Sequence, residues 1–366
     1  MKILYILLAN TTGGVEKIVH ISTQELQKKG HRVEILFLTN KLKNSSIFDN
    51  ATVPVNYLNG NNFSRIINFA RIAKHYDVLH NHTFGLASLL VWMVSILIKK
   101  PLITTLHSTF GLSTMSGSLK PAKGNKLFLL YRVMDWLFRF LGKKVIAVSP
   151  YVSEVLSSSI GIRKERIVVI KNVTDKPPTL ILPITNRPKN IIVLGRLAPE
   201  KQIDLIINMW ARICKHQSKN EWMLTIVGMG EEYNYLKQLS INLNMSDKIN
   251  FAGETNDIYF FLNKAQIAVS ASKYEGAPLS ILEFISCGIP IIASDIPAHR
   301  NMKIDTYGFL ADTKNEDDFV RLITRLMDDT ELRERLSMQA LKESENYSIK
   351  AFIQQLEHVY KSILKQ

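Results

Sequence analysis

Glu275 and Glu283 stand eight positions apart in the segment Tyr274-Glu275-Gly276-Ala277-Pro278-Leu279-Ser280-Ile281-Leu282-Glu283. The run 267–272 before it reads as a buried strand, and Cys287-Gly288-Ile289-Pro290 after it reads as a helix stop. Glu275 is therefore expected in a strand-to-helix loop and Glu283 inside the helix that follows. In an open parallel sheet, ligands bind at the carboxyl ends of the strands, where such loops lie. Two carboxylates there, beside a helix N-terminus, suit a ligand that carries both hydroxyls and phosphates.

Other strand ends carry further chemistry. Gly195-Arg196-Leu197-Ala198-Pro199-Glu200-Lys201 follows an expected strand at 190–194. Its glycine lets the chain turn, and Arg196 and Lys201 then flank the start of the next helix, either as phosphate ligands or as surface cations. Val227-Gly228-Met229-Gly230 is another strand–turn–helix junction, whose glycines permit close backbone approach to a flat ring. Thr11-Thr12-Gly13-Gly14 follows the first strand without the G-x-G-x-x-G pattern, and Glu34 lies inside the second strand rather than at its end. Both facts argue against a nicotinamide dinucleotide. Gly13 and Gly14, opening a helix, still suit a phosphate or acceptor contact. His107 ends the strand 102–106, where it either meets a ligand hydroxyl or phosphate or is a satisfied half-buried histidine. His80 and His82 flank Asn81 with no third ligand in sequence, so no metal site is assigned.

Strand-like and helix-like segments alternate throughout. Strands are expected at 3–8, 33–38, 78–80, 102–106 and 145–148, then at 190–194, 223–227, 249–251, 267–270 and 290–293. Helices are expected at 15–29, 203–216, 233–243, 257–264, 278–286, 316–327 and 349–365. This alternation makes an α/β protein with parallel sheets covered on both faces. Four prolines between Asp175 and Pro188 mark a boundary. The expected division is an acceptor-binding domain at 1–176, a linker at 177–189, a second domain at 190–345, and a helix at 346–366 that packs back across the junction. Two such domains would face each other across a cleft.

The chain of 366 residues carries a formal net charge of +14, all of it in the first half. A basic half suits a polyanion, an anionic lipid or a phosphorylated acceptor, or is a solvated face. Cys214 and Cys287 match no metal or redox spacing and read as thiols of a reducing compartment. The apolar N-terminus is too short for a signal peptide and reads as the first strand. The stretch 86–98 is shorter than the roughly 18–20 residues that span a bilayer, so a core helix is expected there. Residues 120–144 are basic, aromatic and amphipathic, fitting either a membrane interface or a core helix with a basic outer face.

In their order along the chain, Gly13-Gly14, His107, Gly195-Arg196 with Glu200-Lys201, Gly228-Met229-Gly230, and Glu275 with Glu283 resemble the retaining glycosyltransferases of the GT-B fold, glycosyltransferase family 4. The resemblance spans nearly the whole chain and is most specific over 190–300. It implies two Rossmann-like domains. Arg196 and Lys201 would hold the donor diphosphate, Glu283 the ribose hydroxyls, and Glu275 the donor sugar near its reacting carbon. Gly276, Ala277, Leu279 and Ser280 would cradle sugar and phosphate. Gly228, Glu254 and Thr255 would line the base pocket, and Gly195 would bind substrate at the turn before Arg196. His107 would touch the donor sugar, and Gly13 and Gly14 the diphosphate or acceptor.

The sequence departs from the family at Asn172-Val173-Thr174-Asp175, which lacks a usual glycine, and at Ile296-Pro297-Ala298-His299-Arg300. Pre-placed cations at a leaving diphosphate would make a metal dispensable, and no cofactor is expected. The expected substrates are a nucleotide-sugar, UDP-linked by preference, and a lipid-linked or oligosaccharide acceptor of capsule, O-antigen or lipopolysaccharide synthesis. An anionic membrane surface is the expected partner, with the protein peripheral on the cytoplasmic face; nucleic acid is not expected. The alternatives are a nucleotide-sugar epimerase of the same fold and a catalytically degenerate membrane-surface scaffold.

Overall fold

The computed structural model describes residues 1–10, 13–39, 47–49, 51–108, 133, 136–137, 139, 142–175, 177, 180–216 and 221–365. The basic stretch expected at 120–144 lies largely outside these residues. The chain forms two compact units: residues Met1–Val173 with Ile349–Gln366, and residues Thr174–Ser348.

The first unit runs β1 (Lys2–Leu7), α1 (Gly14–Lys28), β2 (Arg32–Phe37), β3 (Val55–Tyr57), α2 (Asn62–Ala73), β4 (Val78–Asn81), α3 (Gly85–Leu97), β5 (Leu102–Leu106), β6 (Lys144–Ala147), α4 (Pro150–Val155) and β7 (Ile167–Val169). Its strands pair in the order β3-β2-β1-β4-β5-β6-β7, all parallel. Ile3 to Leu7 are all buried, as a strand covered on both faces requires. Asn61 caps α2 by accepting from the Ser64 amide at 2.9 Å, and Ser149 caps α4 ahead of Pro150.

The second unit runs β8 (Asn190–Leu194), α5 (Ile203–His216), β9 (Met223–Val227), α6 (Tyr233–Asn242), β10 (Ile249–Gly253), α7 (Ile258–Leu262), β11 (Ile267–Ser270), α8 (Leu279–Ser286), β12 (Ile291–Ser294), α9 (Pro297–Asn301), β13 (Gly308–Ala311), α10 (Glu316–Asp328) and α11 (Thr330–Ser344). Its parallel sheet has the order β10-β9-β8-β11-β12-β13. One core, around Trp210 and Phe319, packs α5 and α10 on one face. Another, around Phe284 and Tyr307, packs α7 and α8 on the other. The expected α/β architecture of two parallel sheets is what the chain adopts.

The last helix, α12 (Ile349–Leu364), belongs to the first unit. Its buried Tyr360 hydroxyl meets the Tyr5 hydroxyl at 2.7 Å and His80 Nδ1 at 2.8 Å. Glu357 holds both Lys29 and His31.

Two expectations gain detail from the structure. The proline-rich stretch, expected as a linker at 177–189, falls within the second unit, and its end is fastened there. Arg187 is buried there, and its guanidinium donates to the carbonyls of Leu182, Ala265 and Cys287. Burial lowers its pKa to about 10. Prolines suggested a linker, but the arginine needs carbonyl partners and finds them in the fold. Residues 86–98 are also not a wholly buried core helix. Leu89, Val91 and Val94 face inward, whereas Leu86, Met93 and Leu97 are exposed. The only polar residues of this stretch, Ser88 and Ser95, lie on the buried side, so they do not mark the face that meets water.

Candidate functional site

In the second sheet the direction of winding reverses between β8 and β11, which makes their carboxyl ends the switch point. Arg196 leaves β8 there, and Glu275 lies in the loop after β11. A short 3₁₀ turn, Pro199–Lys201, carries Lys201 back toward the sheet and ends at Gln202, whose φ is 48°. Lys201 Nζ donates to Glu275 Oε1, and Ser272 Oγ donates to the same oxygen at 2.8 Å. Arg196 pairs with Glu200, while the Glu200 carbonyl accepts from the Lys273 amide at 2.8 Å. The two loops are thus tied by charge and by backbone.

Burial pushes the Glu275 carboxyl up. The Lys201 charge and hydrogen bond, the nearby His299 and the Ser272 hydroxyl pull it down further, so it stays below the usual carboxylate range. His299 opens no gap in the fold: it is 0% exposed. Its Nδ1 lies 2.7 Å from the Ser294 carbonyl, which can only accept, so Nδ1 carries the proton. Burial lowers the His299 pKa, although Glu275 opposes this. The neutral ring leaves Nε2 as a buried acceptor with no partner, within electrostatic range of Glu275 and Lys201.

The glycines of the two turns serve each other. A Cβ on Gly228, whose φ is 134°, would lie 2.0 Å from the Gly195 carbonyl oxygen. Gly195 donates to the Val227 carbonyl, and Gly228 donates to the Gly253 carbonyl at 2.8 Å. The expected space for a flat ring at Gly228 is therefore occupied on its Cβ side by the neighbouring turn. Glu254 and Thr255 follow directly from Gly253, and Thr255 Oγ1 accepts from the Asp257 amide. Glu283 is 6% exposed in the middle of α8, and its charge is felt at Tyr259. Gly276 and Ala277 lead into Pro278, and α8 then opens at Leu279 and Ser280 without a side-chain cap.

In the first unit the switch point falls between β1 and β4. Gly13 is the extended residue before α1, and Gly14 is its first residue. His107 follows β5, and its Nε2 lies 2.9 Å from His82 Nδ1 beyond β4. His82 stacks between Tyr5 and His107. His80 meets Thr105 at 2.7 Å. Burial holds His107 down at about 4; burial and then His107 hold His80 at about 3. Burial, then His80 and His107, hold His82 well below the ordinary value. All three rings are neutral at pH 7.

One proton lies between His82 and His107. His82 Nε2 is buried without a partner, and a bare acceptor is tolerated better there than a stranded N–H. His82 then donates from Nδ1, and His107 keeps its own proton on Nδ1. Among the described residues no group of three His, Cys, Asp or Glu side chains is set for a metal ion.

The expected residues divide between the two units, most of them near strand ends, with Glu283 inside α8. Gly13, Gly14 and His107 belong to the first unit; the rest belong to the second. Sequence reasoning missed Ser272, His299 and the pairing role of His82. Ser272 stood at the end of a recognised strand. His299 gave no signal, because a histidine after a proline reads as a loop residue until its burial is known.

Comparison with known proteins extends this description. Residues 12–177 match the family described as Glycosyltransferase Family 4, and residues 181–343 match Glycosyl transferases group 1. The chain is 31% identical over 169 residues to an uncharacterized glycosyltransferase of Haemophilus influenzae, covering 46% of this chain and 47% of that one. It thus spans about half the length of that relative. It is 26% identical over 272 residues to the Escherichia coli UDP-Gal:alpha-D-GlcNAc-diphosphoundecaprenol alpha-1,3-galactosyltransferase, covering 70% and 67% of the two chains. The crystal structure of Anabaena Alr3699/HepE in complex with UDP-glucose superposes with a TM-score of 0.84 at 20% identity, over 99% of this chain and 100% of that one.

Proposed function

Because this chain belongs to the glycosyltransferases of the GT-B fold, we propose that it transfers a hexose or N-acetylhexosamine from a UDP-sugar to a lipid-linked sugar acceptor. The reaction retains anomeric configuration and needs no metal. The setting is bacterial surface polysaccharide synthesis at the cytoplasmic face of the membrane. The observation that carries this reading is the charged cluster of Arg196, Glu200, Lys201 and Glu275 at the second switch point. Support for the substrates comes from the UDP-glucose bound in the Anabaena structure and from the lipid diphosphate named for the Escherichia coli relative.

In this reading the donor diphosphate meets Arg196 and Lys201. A departing nucleoside diphosphate develops negative charge, and cations already in place stabilise it without reorganising. Glu275 holds the Lys201 ammonium in place. Glu283 takes the ribose hydroxyls; Gly276, Ala277, Leu279 and Ser280 receive phosphate and sugar at the head of α8. Gly195, Gly228, Glu254 and Thr255 border the base. In the first unit, His107, Gly13 and Gly14 stand beyond the strand ends of that unit's own sheet, where they receive the acceptor.

Retention requires either a double displacement or attack from the face of the leaving group. One Glu275 oxygen already accepts from Lys201 and Ser272, and its low pKa makes it a weak nucleophile. This favours frontside attack, with the departing phosphate taking the acceptor's proton.

The test is UDP release from a panel of UDP-, GDP- and ADP-sugars, with bacterial lipid extract as acceptor and chelator present. The expected result is turnover of one UDP-sugar only when lipid is added, with an α-linked product from an α-linked donor. Turnover only with GDP- or ADP-sugars, or inversion, would contradict the proposal.

A further inference from the structure

The outer side of the first unit is unusual. α3 contains no charged residue: its sequence is Gly-Leu-Ala-Ser-Leu-Leu-Val-Trp-Met-Val-Ser-Ile-Leu. Leu86, Met93 and Leu97 fall at i, i+7 and i+11, on one line along the helix. They are 63%, 55% and 76% exposed, and Ile96 beside them is also exposed. α2 packs next to α3 through the core that contains Phe69, Ala73, Val91 and Val94. On its outer side α2 shows Phe63, which is 75% exposed, and Ile67. Contiguous exposed apolar faces of this kind mark interaction sites rather than ordinary surface.

The charges carried by these two helices and by the residues that end them have one sign. Neither α2 nor α3 contains an acid. Asp77 is the only acid between Asn50 and Met134 in the sequence. Arg71 and Lys74 close α2, and Lys99 and Lys100 follow α3. At the end of α3 lies a groove of about 580 Å³. Trp92, Ile96 and Ile363 give it apolar walls, and Lys99, Lys100 and Lys143 give it a cationic rim. An apolar floor under a ring of lysines matches an amphiphile with an anionic head. A protein partner of ordinary mixed charge would leave these cations unanswered.

We propose that the outer faces of α2 and α3, with the lysine-rimmed groove, are the surface by which this chain lies on an anionic lipid bilayer. The helices insert their apolar line into the headgroup boundary, and the lysines take lipid phosphates. No helix among the described residues is long and apolar enough to cross a membrane, so α3 lies in the interface rather than through it. Phe84, two residues after His82 and exposed at the head of α3, brings β4's carboxyl end to the lipid boundary. A lipid-linked acceptor would arrive at that end. The inference gives the proposed membrane reading a location, and it rests on that reading only for its purpose.

The test uses the whole chain with vesicles of phosphatidylcholine, with and without phosphatidylglycerol, in a co-sedimentation assay at low and high salt. Wild type is expected to bind the anionic vesicles and to be released by salt. Met93→Glu with Leu97→Glu is expected to lower partitioning by about tenfold or more. Lys99→Gln, Lys100→Gln and Lys143→Gln are each expected to lower it by about fivefold. Circular dichroism and the melting temperature should match wild type, because all these side chains face solvent. If the double glutamate variant does not fold, quenching of tryptophan fluorescence by brominated lipid in a Trp136→Phe background, where Trp210 and Trp222 are buried, reports whether Trp92 enters the bilayer.

Unchanged binding by the folded glutamate variant would overturn the inference, as would no quenching. So would light scattering that shows a wild-type dimer converted to monomer by the same substitutions, since a second copy would then cover the belt. UDP-dependent stabilisation, measured separately, reports on the donor reading and leaves this result independent of it.

Discussion

Removing Lys201 should destabilise the second unit mainly through the charge it leaves behind. Lys201 and Glu275 are in contact, with side chains 24% and 14% exposed. Two unit charges about 4 Å apart attract by about 4 kcal/mol at an effective dielectric of 20. Partial exposure brings the expected coupling to roughly 2 kcal/mol. Lys201→Met leaves a buried carboxylate with Ser272 as its remaining hydroxyl donor, and should lower stability by about 3 kcal/mol at pH 7. Glu275→Gln leaves an ammonium that can still reach water, so its effect should be about 1 kcal/mol. The double variant should lose about 2 kcal/mol less than the sum of the two.

The pH dependence provides a second readout with a definite sign. In wild type the Glu275 pKa is depressed. Its contribution is therefore present above the ordinary carboxylate pKa and is lost as pH falls through the lower folded value. In Lys201→Met burial acts with less opposition, the pKa rises, and stability should instead fall as pH rises above about 4.5. Urea unfolding in a Trp92→Phe/Trp136→Phe background reads the second unit alone, because the remaining tryptophans of the four, Trp210 and Trp222, lie within it. Additivity within about 0.5 kcal/mol, with no change in the pH slope, would refute the reasoning.

Gly228→Ala forces a Cβ to 2.0 Å from the Gly195 carbonyl at a φ of 134°, so thermal unfolding should show a loss of about 3 kcal/mol or more. His80 and His107 are held at about 3 and about 4 by burial. Neutral in the fold and charged when unfolded, they should destabilise the first unit as pH falls from about 6.5 toward 4, a slope that His107→Gln lessens in acid titration. His299→Leu removes an unpartnered buried acceptor but also the hydrogen bond from Nδ1 to the Ser294 carbonyl, so thermal unfolding should show a loss of about 1 kcal/mol.

What the sequence makes legible here follows from burial. Strands covered on both faces are continuous apolar runs, so β1, β8, β9 and β11 can be placed from the residues alone. Glycine and charge at their ends mark Arg196, Lys201, Glu275 and Glu283 as candidates. Other features depend on long-range packing. The guanidinium of Arg187 reads as a surface charge until Ala265 and Cys287 supply its carbonyls. Tyr360 and His80 lie 280 positions apart and join only because α12 returns to the first unit. The partners of His299 and the outward face of α3 are invisible for the same reason: periodicity shows which residues share a side, and only packing shows what that side meets.

The most direct measurement is nucleotide binding by thermal shift, with UDP, GDP, ADP and their sugar conjugates, on wild type and on Lys201→Met. A ligand that binds the folded state raises the melting temperature by linkage. The account predicts stabilisation of wild type by UDP and one UDP-sugar, most of it lost in Lys201→Met. Absence of any nucleotide-dependent shift in wild type, or a shift that Lys201→Met leaves intact, would contradict the donor site assigned at the β8–β11 switch point.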